Sequence, residues 1–357
     1  MGESSLAAKR RLHAALADLA AARPGDAGRL LAGLYAGDAE WRGAHPLNAA
    51  RGVGEIESRV WQPLLRSFPD LERRDDILVG GSYEGRDYVA CVGHFCGTFR
   101  QDWLGIPATG RPVWLRYGEV HRIVDGRIIQ SNCLWDVLDL IRQAGFWPFP
   151  PPLGTEGRWP GPITGDGVVL HESDPAVSAA SIAQTLAMHG TLFAYQDVEG
   201  RGRQGLLEMP QKEHWHPKMM WYGPAGIGTT RGLQGFVDYH QQPFRTAFPR
   251  PSTPEEVAAV AAERARMGGG HYIRIGDGAY SVTGGWPSRV DLHTGAGWLG
   301  LPATGRTVGM RVMDFYLHHE GKIRENWVPI DMLDVMMQLG VDVLARMQSL
   351  FRRGAPG

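Results

Sequence analysis

The sequence has few cysteines and almost no net charge. Only three cysteines occur in 357 residues, Cys91, Cys96 and Cys133, and so odd and sparse a set is not a disulfide framework. Cys91 and Cys96 are five residues apart in a predicted strand, so they point to opposite faces and are poorly placed to share a metal ion. The formal net charge of −1 gives no electrostatic reason to expect nucleic acid or an anionic membrane as a partner. We expect reduced thiols and neither of those partners.

Long apolar runs are also missing. No stretch approaches the roughly 20 apolar residues that a membrane-spanning helix needs. The N-terminus, MGESSLAAKRRLHAALADLAAA, carries early charges and no convincing cleavage site, which predicts a surface helix and not a signal peptide. The default expectation is a cytoplasmic protein.

The usual nucleotide and metal motifs are absent as well. Neither G-x-G-x-x-G after a strand nor G-x-x-x-x-G-K-[ST] occurs. The stretch HWHP at 214–217 would place His214 and His216 on one strand face, but two ligands need a third from elsewhere. No H-x-x-x-H helix or C-x-x-C pair supplies one. We therefore expect neither a cofactor nor a metal ion.

The sequence contains nearly the same turn at two positions. GIPATGR at 105–111 and GLPATGR at 300–306 stand 195 residues apart, and at the same offset DVLDLIRQAG (136–145) matches DMLDVMMQLG (331–340). Upstream the offset becomes 180, where VWQPLLRSFP (60–69) meets YHQQPFRTAFP (239–249). Hydrophobic residues make up 43% of the chain, so each half can bury a core of its own. The pattern predicts a tandem duplication.

Two segments have no counterpart in the other copy. Residues 254–267 follow Thr253, begin with proline and end at glycines, which predicts an inserted helix with its N-cap. The stretch FWPFPPPLGTEGRWPGPITGDG at 146–167 is rich in proline and glycine and predicts an extended linker. We predict domain one over 1–147, a linker over 148–173 and domain two over 174–357.

In each copy the sequence predicts helices followed by antiparallel strands and a closing helix. In copy one the helices lie near 5–22, 26–35 and 53–67, the strands near 76–83, 87–101, 111–124 and 127–134, and the last helix over 136–144. In copy two, strands near 271–283, 287–298, 307–319 and 322–328 precede a final helix over 331–351. VDGRI and HEGKI are the clearest hairpin turns. This order is typical of an α+β fold with helices on one face of a curved, mostly antiparallel sheet.

The order of these motifs resembles the SnoaL-like polyketide cyclase or ester cyclase family of the nuclear-transport-factor-two-like superfamily. The resemblance is carried by WRGAHP (41–46), GHFCG (93–97), GIPATGR and DVLDLIRQAG, and by WYGPAG (221–226), LHTG (292–295), GLPATGR and NWVPIDMLDVMMQLG. It implies two tandem cone-shaped α+β barrels forming a pseudo-dimer within one chain, with further homo-oligomerisation left open. It also implies a cofactor-independent general acid/base enzyme of cyclase, isomerase or hydratase type. The partner would be a small hydrophobic carbonyl compound in a conical pocket.

The resemblance assigns the general acid/base role to Asp331, assisted by His293. The chemistry requires such a group, since aldol closure removes a proton next to a carbonyl and returns one to the new alkoxide. A carboxylate whose pKa is raised by desolvation can do both. Asp331 before Met-Leu-Asp-Val is also a good helix N-cap. The two roles are compatible and both stay open.

Copy one carries the corresponding candidates Asp136 and His94, with a longer spacing from His94 to the repeated turn than from His293. Asn132 stands where copy two has Trp327. That difference weakens the case for a working first site and favours the alternative of a non-catalytic ligand-binding or assembly module for at least one copy.

Glu119 and Asp314 occupy the same strand position in the two copies. Each either faces a pocket or pairs with a nearby arginine, Arg116 or Arg311. Epoxide or ester hydrolysis through Asp314 and Arg311 is disfavoured, because residues three apart lie on opposite faces of a strand. Candidate pocket residues, mostly aromatic, are Trp327, Trp221, Trp215, Tyr316, Trp41 and His45.

Overall fold

A computed structural model describes residues 4–197 and 199–354. The chain forms two compact units. The first contains the chain up to Pro148, residues Gly161–Glu172 and the chain from Asp342 onward, and the second contains Phe149–Pro160 and Ser173–Val341. The proline-rich linker is thus divided between the units. Each unit also includes the segment that follows the closing helix of the other repeat.

The first unit is a six-stranded sheet with helices, in the strand order β2-β1-β6-β5-β4-β3. Its strands are β1 Tyr35–Gly43, β2 Ala49–Arg51, β3 Glu72–Tyr83, β4 Arg86–Thr98, β5 Pro112–Val124 and β6 Arg127–Trp135. Its helices are α1 Ser5–Ala20, α2 Ala27–Leu34, α3 Gly52–Glu55, the π-helical turn Ile56–Trp61, α4 Gln62–Ser67 and α5 Val137–Gln143. Only β1 and β6 pair in parallel; the remaining pairs are antiparallel.

The second unit repeats this topology in the order β8-β7-β12-β11-β10-β9. Its strands are β7 Trp215–Tyr222, β8 Thr229–Arg231, β9 His271–Asp277, β10 Tyr280–Leu292, β11 Thr307–His319 and β12 Lys322–Trp327. Its helices are α6 Pro175–Thr191, α7 Gly202–Glu208, α8 Gly232–Phe236, the π-helical turn Val237–Gln241, α9 Gln242–Ala247, the inserted α10 Pro254–Met267 and α11 Met332–Gln338. The last helix, α12 Val343–Gly354, belongs to the first unit. Short 3₁₀ turns lie at Pro24–Asp26, Leu192–Asp197, Glu199–Arg201, Pro210–Glu213 and Trp298–Gly300.

Both predicted hairpins are present. Asp125 and Gly126 join β5 to β6 with φ of 48° and 70°, and Glu320 and Gly321 join β11 to β12 with φ of 52° and 70°. Two consecutive residues with positive φ make the tight turn whose twist matches antiparallel strands. The glycine is required there because it adopts that conformation without steric cost.

Helices cover one face of each sheet, which we call the inner face. In the second unit Thr185 of α6 hydrogen-bonds Ser281 of β10, with 2.7 Å between the hydroxyl oxygens. Ser281 lies opposite Tyr316 of β11, so alternate residues of β11, including Asp314, share this face. The approach of α6 is close: a Cβ at Gly276 would lie 2.0 Å from the carbonyl oxygen of Ser178.

Several element boundaries differ from those expected. The short strands β1, β2, β7 and β8 were not predicted, because WRGAHP and WYGPAG read as turns and gave no alternating signal. The final helix, expected over 331–351, is broken at Gly340, whose φ is 92°. The strand expected over 287–298 ends at Leu292. Neither sheet closes on itself within the described ranges, and no helix there is long and apolar enough to cross a bilayer.

Candidate active site

Asp314 lies in the middle of β11 on the inner face of the second unit. It is paired across the ladder with Thr283 of β10 and keeps part of its surface exposed. The side chains of Asn326 and Tyr316 lie near its carboxylate and favour its ionised form. Within the described part of the chain, no arginine, lysine or histidine forms a salt bridge with it.

Burial sets the protonation of this carboxyl group. It raises the pKa of Asp314 from its ordinary 3.8 to about 6, against the opposing effect of Asn326 and Tyr316. A carboxyl group in this range populates both its protonated and its ionised form near neutral pH. It can therefore accept a proton and return it.

A chain of polar groups leads from Asp314 towards α6. The hydroxyl of Tyr316 shares a hydrogen bond with Nε2 of His189, with 2.9 Å between the atoms. The ring of His189 meets that of His271 edge to face at 5.4 Å. Burial, assisted by the nearby charges of His271 and Arg274, lowers the pKa of His189 to about 4, so this imidazole is neutral at pH 7.

The same position of the first unit carries a carboxylate in a different state. Burial alone would raise the pKa of Glu119, but the charge of Arg73 and contacts from His121 and Trp135 bring it down to about 2. Nη1 of Arg73 lies 2.7 Å from Oε2 of Glu119, and Nε1 of Trp135 donates to Oε1 at 2.8 Å. Glu119 is therefore ionised and paired with a cation, but that cation is Arg73 and not the expected Arg116.

Arg73 fills the interior of the first unit. Its fully buried side chain also contacts Asp75, with 2.9 Å from Nη2 to Oδ1. Its guanidinium lies over the rings of Tyr117 and Phe95, at 4.3 Å and 5.6 Å from their centroids. An ion pair and packed aromatic rings thus occupy the space around Glu119.

The second unit has no arginine at the corresponding position. His271 pairs with Gly285 in the second unit, as Asp75 pairs with Gly93 in the first. Gly285 in turn lies opposite Val312, and Gly93 lies opposite the equivalent residue Tyr117. His271 and Asp75 therefore hold equivalent positions. Arg73 lies two residues before Asp75 in the first unit. The residue two before His271 in the second unit is Gly269. Since β9 starts only at His271, the inserted helix α10 and its closing glycines replace the part of the strand that bears the arginine.

Asp331 caps helix α11 and lies on the other side of the sheet from Asp314. Its Oδ1 accepts a hydrogen bond from the backbone N–H of Asp334 at 3.2 Å, and its Oδ2 lies 2.9 Å from Nη1 of Arg311. Arg311 and Asp314 are three residues apart on β11, so their side chains point to opposite faces. Asp136 repeats this arrangement in the first unit.

His293 lies before the repeated turn and is hydrogen-bonded to it. Its Nδ1 lies 3.0 Å from Oγ1 of Thr304, and its backbone bonds Gly305 and Arg306. Phe99 makes the same backbone contacts in the first unit.

His94 is therefore not the counterpart of His293, contrary to the closest match in the sequence. Three residues, 286–288, bulge out of β10 where β4 has His94 alone. His94 instead pairs with Asp76, with 3.0 Å from Nδ1 to Oδ2. It lies opposite Arg116, on the outer face.

The family model described as SnoaL-like polyketide cyclase matches residues 28–144 and 291–339. The chain carries SnoaL-like domains in tandem. The two matched segments contain Glu119 and Asp314 respectively. A comparison with curated proteins found no match.

Solved structures similar to parts of the chain include three bacterial proteins. A candidate SnoaL-like polyketide cyclase from Jannaschia sp. CCS1 is 18% identical, with 42% of this chain and 99% of that chain covered and a TM-score of 0.35. IdmH, a candidate polyketide cyclase from Streptomyces antibioticus, is 25% identical over 39% and 99%, with a TM-score of 0.32. AclR, a candidate hydroxylase from Streptomyces galilaeus, is 20% identical over 40% and 98%, with a TM-score of 0.31.

The aromatic residues predicted for the pocket of the second SnoaL-like domain are divided between the two faces. Trp221 lies opposite Asn326 on the inner face and stacks on His240, with 4.1 Å between ring centroids. Trp327 lies on the outer face, where Nε1 donates to the carbonyl of Pro160 at 2.8 Å. Trp215 packs on Phe236, with 5.7 Å between their ring centroids.

In the first SnoaL-like domain Trp41 packs against Trp135, with 5.7 Å between ring centroids. His45 is half-buried in the loop between β1 and β2. The polar partners of Glu119 are instead Arg73, Trp135 and His121.

Sequence reasoning missed the partners of both carboxylates. A regular hairpin from the Glu320–Gly321 turn would place Asn326 on the opposite face, and only the register shift between Leu317 and His318 brings it to the face of Asp314. His189 and Arg73 gave no signal either, since each lies far from its partner along the chain. Of the described residues, no group of three or more histidine, cysteine, aspartate or glutamate side chains is placed to hold a metal ion.

Proposed function

We propose that the second SnoaL-like domain is a cofactor-independent general acid/base enzyme of cyclase, isomerase or hydratase type. Its substrate would be a small hydrophobic carbonyl compound, and Asp314 would carry the proton. The observation that supports this is the state of Asp314. It is a partly exposed inner-face carboxyl with no cationic partner in the described chain and a pKa of about 6.

In each of these reaction types the part taken by Asp314 is to transfer protons. Ionised Asp314 removes a proton from the carbon next to the carbonyl, and the protonated acid then returns it to the developing product. Tyr316 and Asn326 favour the ionised form of the carboxylate and so support the first step. Matching the pKa of the group to the working pH makes both transfers efficient.

The surroundings favour an uncharged, apolar substrate. Trp221 stacks on His240, and Phe236 tilts against both rings. Burial, together with the charges of Arg289 and Arg245, lowers the pKa of His240 to about 3, so this histidine adds no charge at neutral pH. An aromatic wall beside a titrating carboxyl group suits a hydrophobic carbonyl compound, since the charge of Arg289 is already paired with Asp291.

For the first SnoaL-like domain we propose a non-catalytic role, as a binding or assembly module. Its carboxylate Glu119 is held ionised by Arg73, with a pKa of about 2. So weak a base has little driving force to take a proton from carbon. The buried Arg73 also occupies the space next to it.

The test is proton exchange into a simple ketone. With 2-tetralone in heavy water, we expect the wild-type protein to accelerate deuterium exchange at the carbons next to the carbonyl, measured by proton NMR. The rate should rise with pH through about 6, because the ionised form of Asp314 is the base. Asp314→Asn should reduce the rate to that of protein-free buffer.

Glu119→Gln is the matched control, because it changes the equivalent carboxylate of the first domain. It should leave the exchange rate per folded molecule unchanged. Equal exchange by Asp314→Asn and wild type, or loss of exchange in Glu119→Gln alone, would contradict the assignment of the active domain.

A further inference from the structure

A cavity lies on the outer face of the second SnoaL-like domain. It has a volume of about 580 Å³ and is lined by residues of β7 and β8 together with Thr155 and residues 157–160. We call residues 153–160 the strap, since this segment runs along the edge of the sheet. The residues that matter for binding are Met220 and Tyr222 of β7, Arg231 of β8, and Arg158 and Trp159 of the strap.

The strap is fixed to the sheet by backbone hydrogen bonds. Thr155 and Thr229 exchange N–H···O bonds of 2.9 Å and 2.8 Å, and Gly154 donates to Ile227 at 2.6 Å. The approach is so close that a Cβ at Gly154 would lie 2.7 Å from the carbonyl oxygen of Thr229. At the other end, Trp327 donates to the carbonyl of Pro160. The strap is therefore a permanent wall of the cavity.

The cavity carries positive charge. Arg158 and Arg231 are both exposed, and no carboxylate is among the lining residues. Neither guanidinium takes part in a salt bridge with any residue in the described ranges. The nearby buried Glu325 accepts a 2.6 Å hydrogen bond from the hydroxyl of Tyr222, and it does not line the cavity.

The first repeat has an acidic residue at the equivalent ladder position. Glu40 lies opposite Arg51 on β1 and β2, as Met220 lies opposite Arg231 on β7 and β8. Glu40 binds both guanidinium nitrogens of Arg42, at 2.7 Å and 2.9 Å. The second repeat has methionine in place of this acid. Arg231 therefore has no acidic side chain opposite it in the ladder.

We propose that the strap cavity binds a small organic anion with a flat apolar body, such as an aromatic carboxylate. The guanidinium groups of Arg158 and Arg231 bind the carboxylate, for which their planar donor sets are suited. Trp159, Tyr222 and Met220 contact the apolar body. Met220 and Tyr222 alternate with Trp221 along β7, so this site lies on the opposite face of the sheet from Asp314 and is independent of the proposed catalysis.

The test uses 2-naphthoate as the probe and the uncharged 2-naphthamide as its matched control, with binding measured by isothermal titration calorimetry. We expect naphthoate to bind and naphthamide to bind at least about tenfold more weakly, since charge-assisted hydrogen bonds to arginine are lost. Arg231→Gln and Arg158→Gln should each weaken naphthoate binding by about tenfold. Met220→Glu recreates the acid of the first repeat and should do the same.

Two variants locate the binding. Arg51→Gln changes the equivalent arginine of the first repeat, and Asp314→Asn changes the proposed catalytic group; both should bind naphthoate as wild type does. Thermal unfolding of each variant shows whether it is folded. Equal affinity for the acid and the amide, absence of naphthoate binding up to about 5 mM, wild-type affinity in Arg231→Gln, or loss of binding in Asp314→Asn would each overturn the proposal.

Discussion

At the scale of single residues, two equivalent carboxylates are in opposite protonation states. Asp314 and Glu119 hold the same position in β11 and β5. The difference lies in their neighbours: Arg73 faces Glu119, whereas Gly269 stands at the matching position of the second domain. Removing one cation from a buried site converts a paired carboxylate into a group that titrates near neutral pH.

This contrast predicts opposite effects of two neutral substitutions on stability. The folded pKa of Asp314, about 6, lies above its ordinary 3.8, so its ionisation costs folding free energy as pH rises through 6. At pH 8 Asp314→Asn should therefore stabilise the protein, by roughly 1–3 kcal/mol. Glu119→Gln should destabilise it by about 3–5 kcal/mol, because Arg73 loses a buried partner. Urea unfolding measures both changes.

The pH dependence of these two stability changes tests their predicted signs. The gain from Asp314→Asn should vanish below about pH 4, where the unfolded carboxyl is also protonated. The folded pKa of Glu119 is about 2, below its ordinary 4.5, so its contribution is present above pH 4.5 and disappears as pH falls towards 2. Destabilisation by Asp314→Asn at pH 8 would show that its ionised form is well solvated or paired.

At the scale of elements, the repeated D-x-L-D and Q-x-G residues fasten the closing helices. The side chain of Gln338 bonds both the N–H and the carbonyl of Gly309, at 2.9 Å each, and also Asp334. In the first domain Gln143 bonds Trp114 and Asp139 in the same way. The strongest match between the copies thus reflects a shared attachment of helix to strand.

The element scale also gives a test of Asp331. Asp331→Ala removes the cap of α11 and the partner of Arg311, and we expect it to lower the free energy of unfolding by about 1–2 kcal/mol. Asp331→Asn retains a capping oxygen and should cost less. Chemical unfolding of both variants, with Asp136→Ala as the equivalent change in the first domain, measures the effect.

Deuterium exchange into 2-tetralone separates the cap from a catalytic role. We expect Asp331→Asn to exchange at the wild-type rate once corrected for the folded fraction. A folded Asp331→Asn protein that has lost exchange would support the role for Asp331 that the resemblance to SnoaL-like cyclases implies.

At the scale of the whole molecule, each unit includes a segment that follows the closing helix of the other repeat along the chain. In the first unit α12 lies beside the repeated turn, where a Cβ at Gly105 would come within 2.8 Å of Nε2 of Gln348. Phe351 meets Phe146, with 5.9 Å between ring centroids. In the second unit the linker residue Pro150 lies against Gly300, the equivalent glycine.

We expect α12 to stabilise the first unit. Met347 is fully buried in this helix, whereas Leu350 is 38% exposed. Met347→Ala should cost about 2–4 kcal/mol through the cavity it leaves, and amide hydrogen exchange over residues 99–111 should become faster. Leu350→Ala is the matched control and should change neither quantity appreciably. Faster exchange confined to the second unit would show that α12 supports a different part of the chain.

The sequence by itself determined the duplication, the hairpins, the closing helices and the equivalent carboxylates of β5 and β11. These depend on local signals: turns need particular residues for their backbone angles, and a repeat preserves spacing. The family resemblance followed from the same motifs. The short strands β1 and β7 escaped prediction because their sequences read as turns.

Only the tertiary structure decided which carboxylate can titrate and where a second ligand could bind. Arg73 and Glu119 are 46 residues apart along the chain. The bulge in β10 that makes His293 and His94 non-equivalent is visible only through strand pairing. The strap cavity likewise joins Thr155 and residues 157–160 to β7 and β8. The pKa of a buried group depends on what surrounds it in space, and that surrounding is assembled by long-range pairing that no local pattern records.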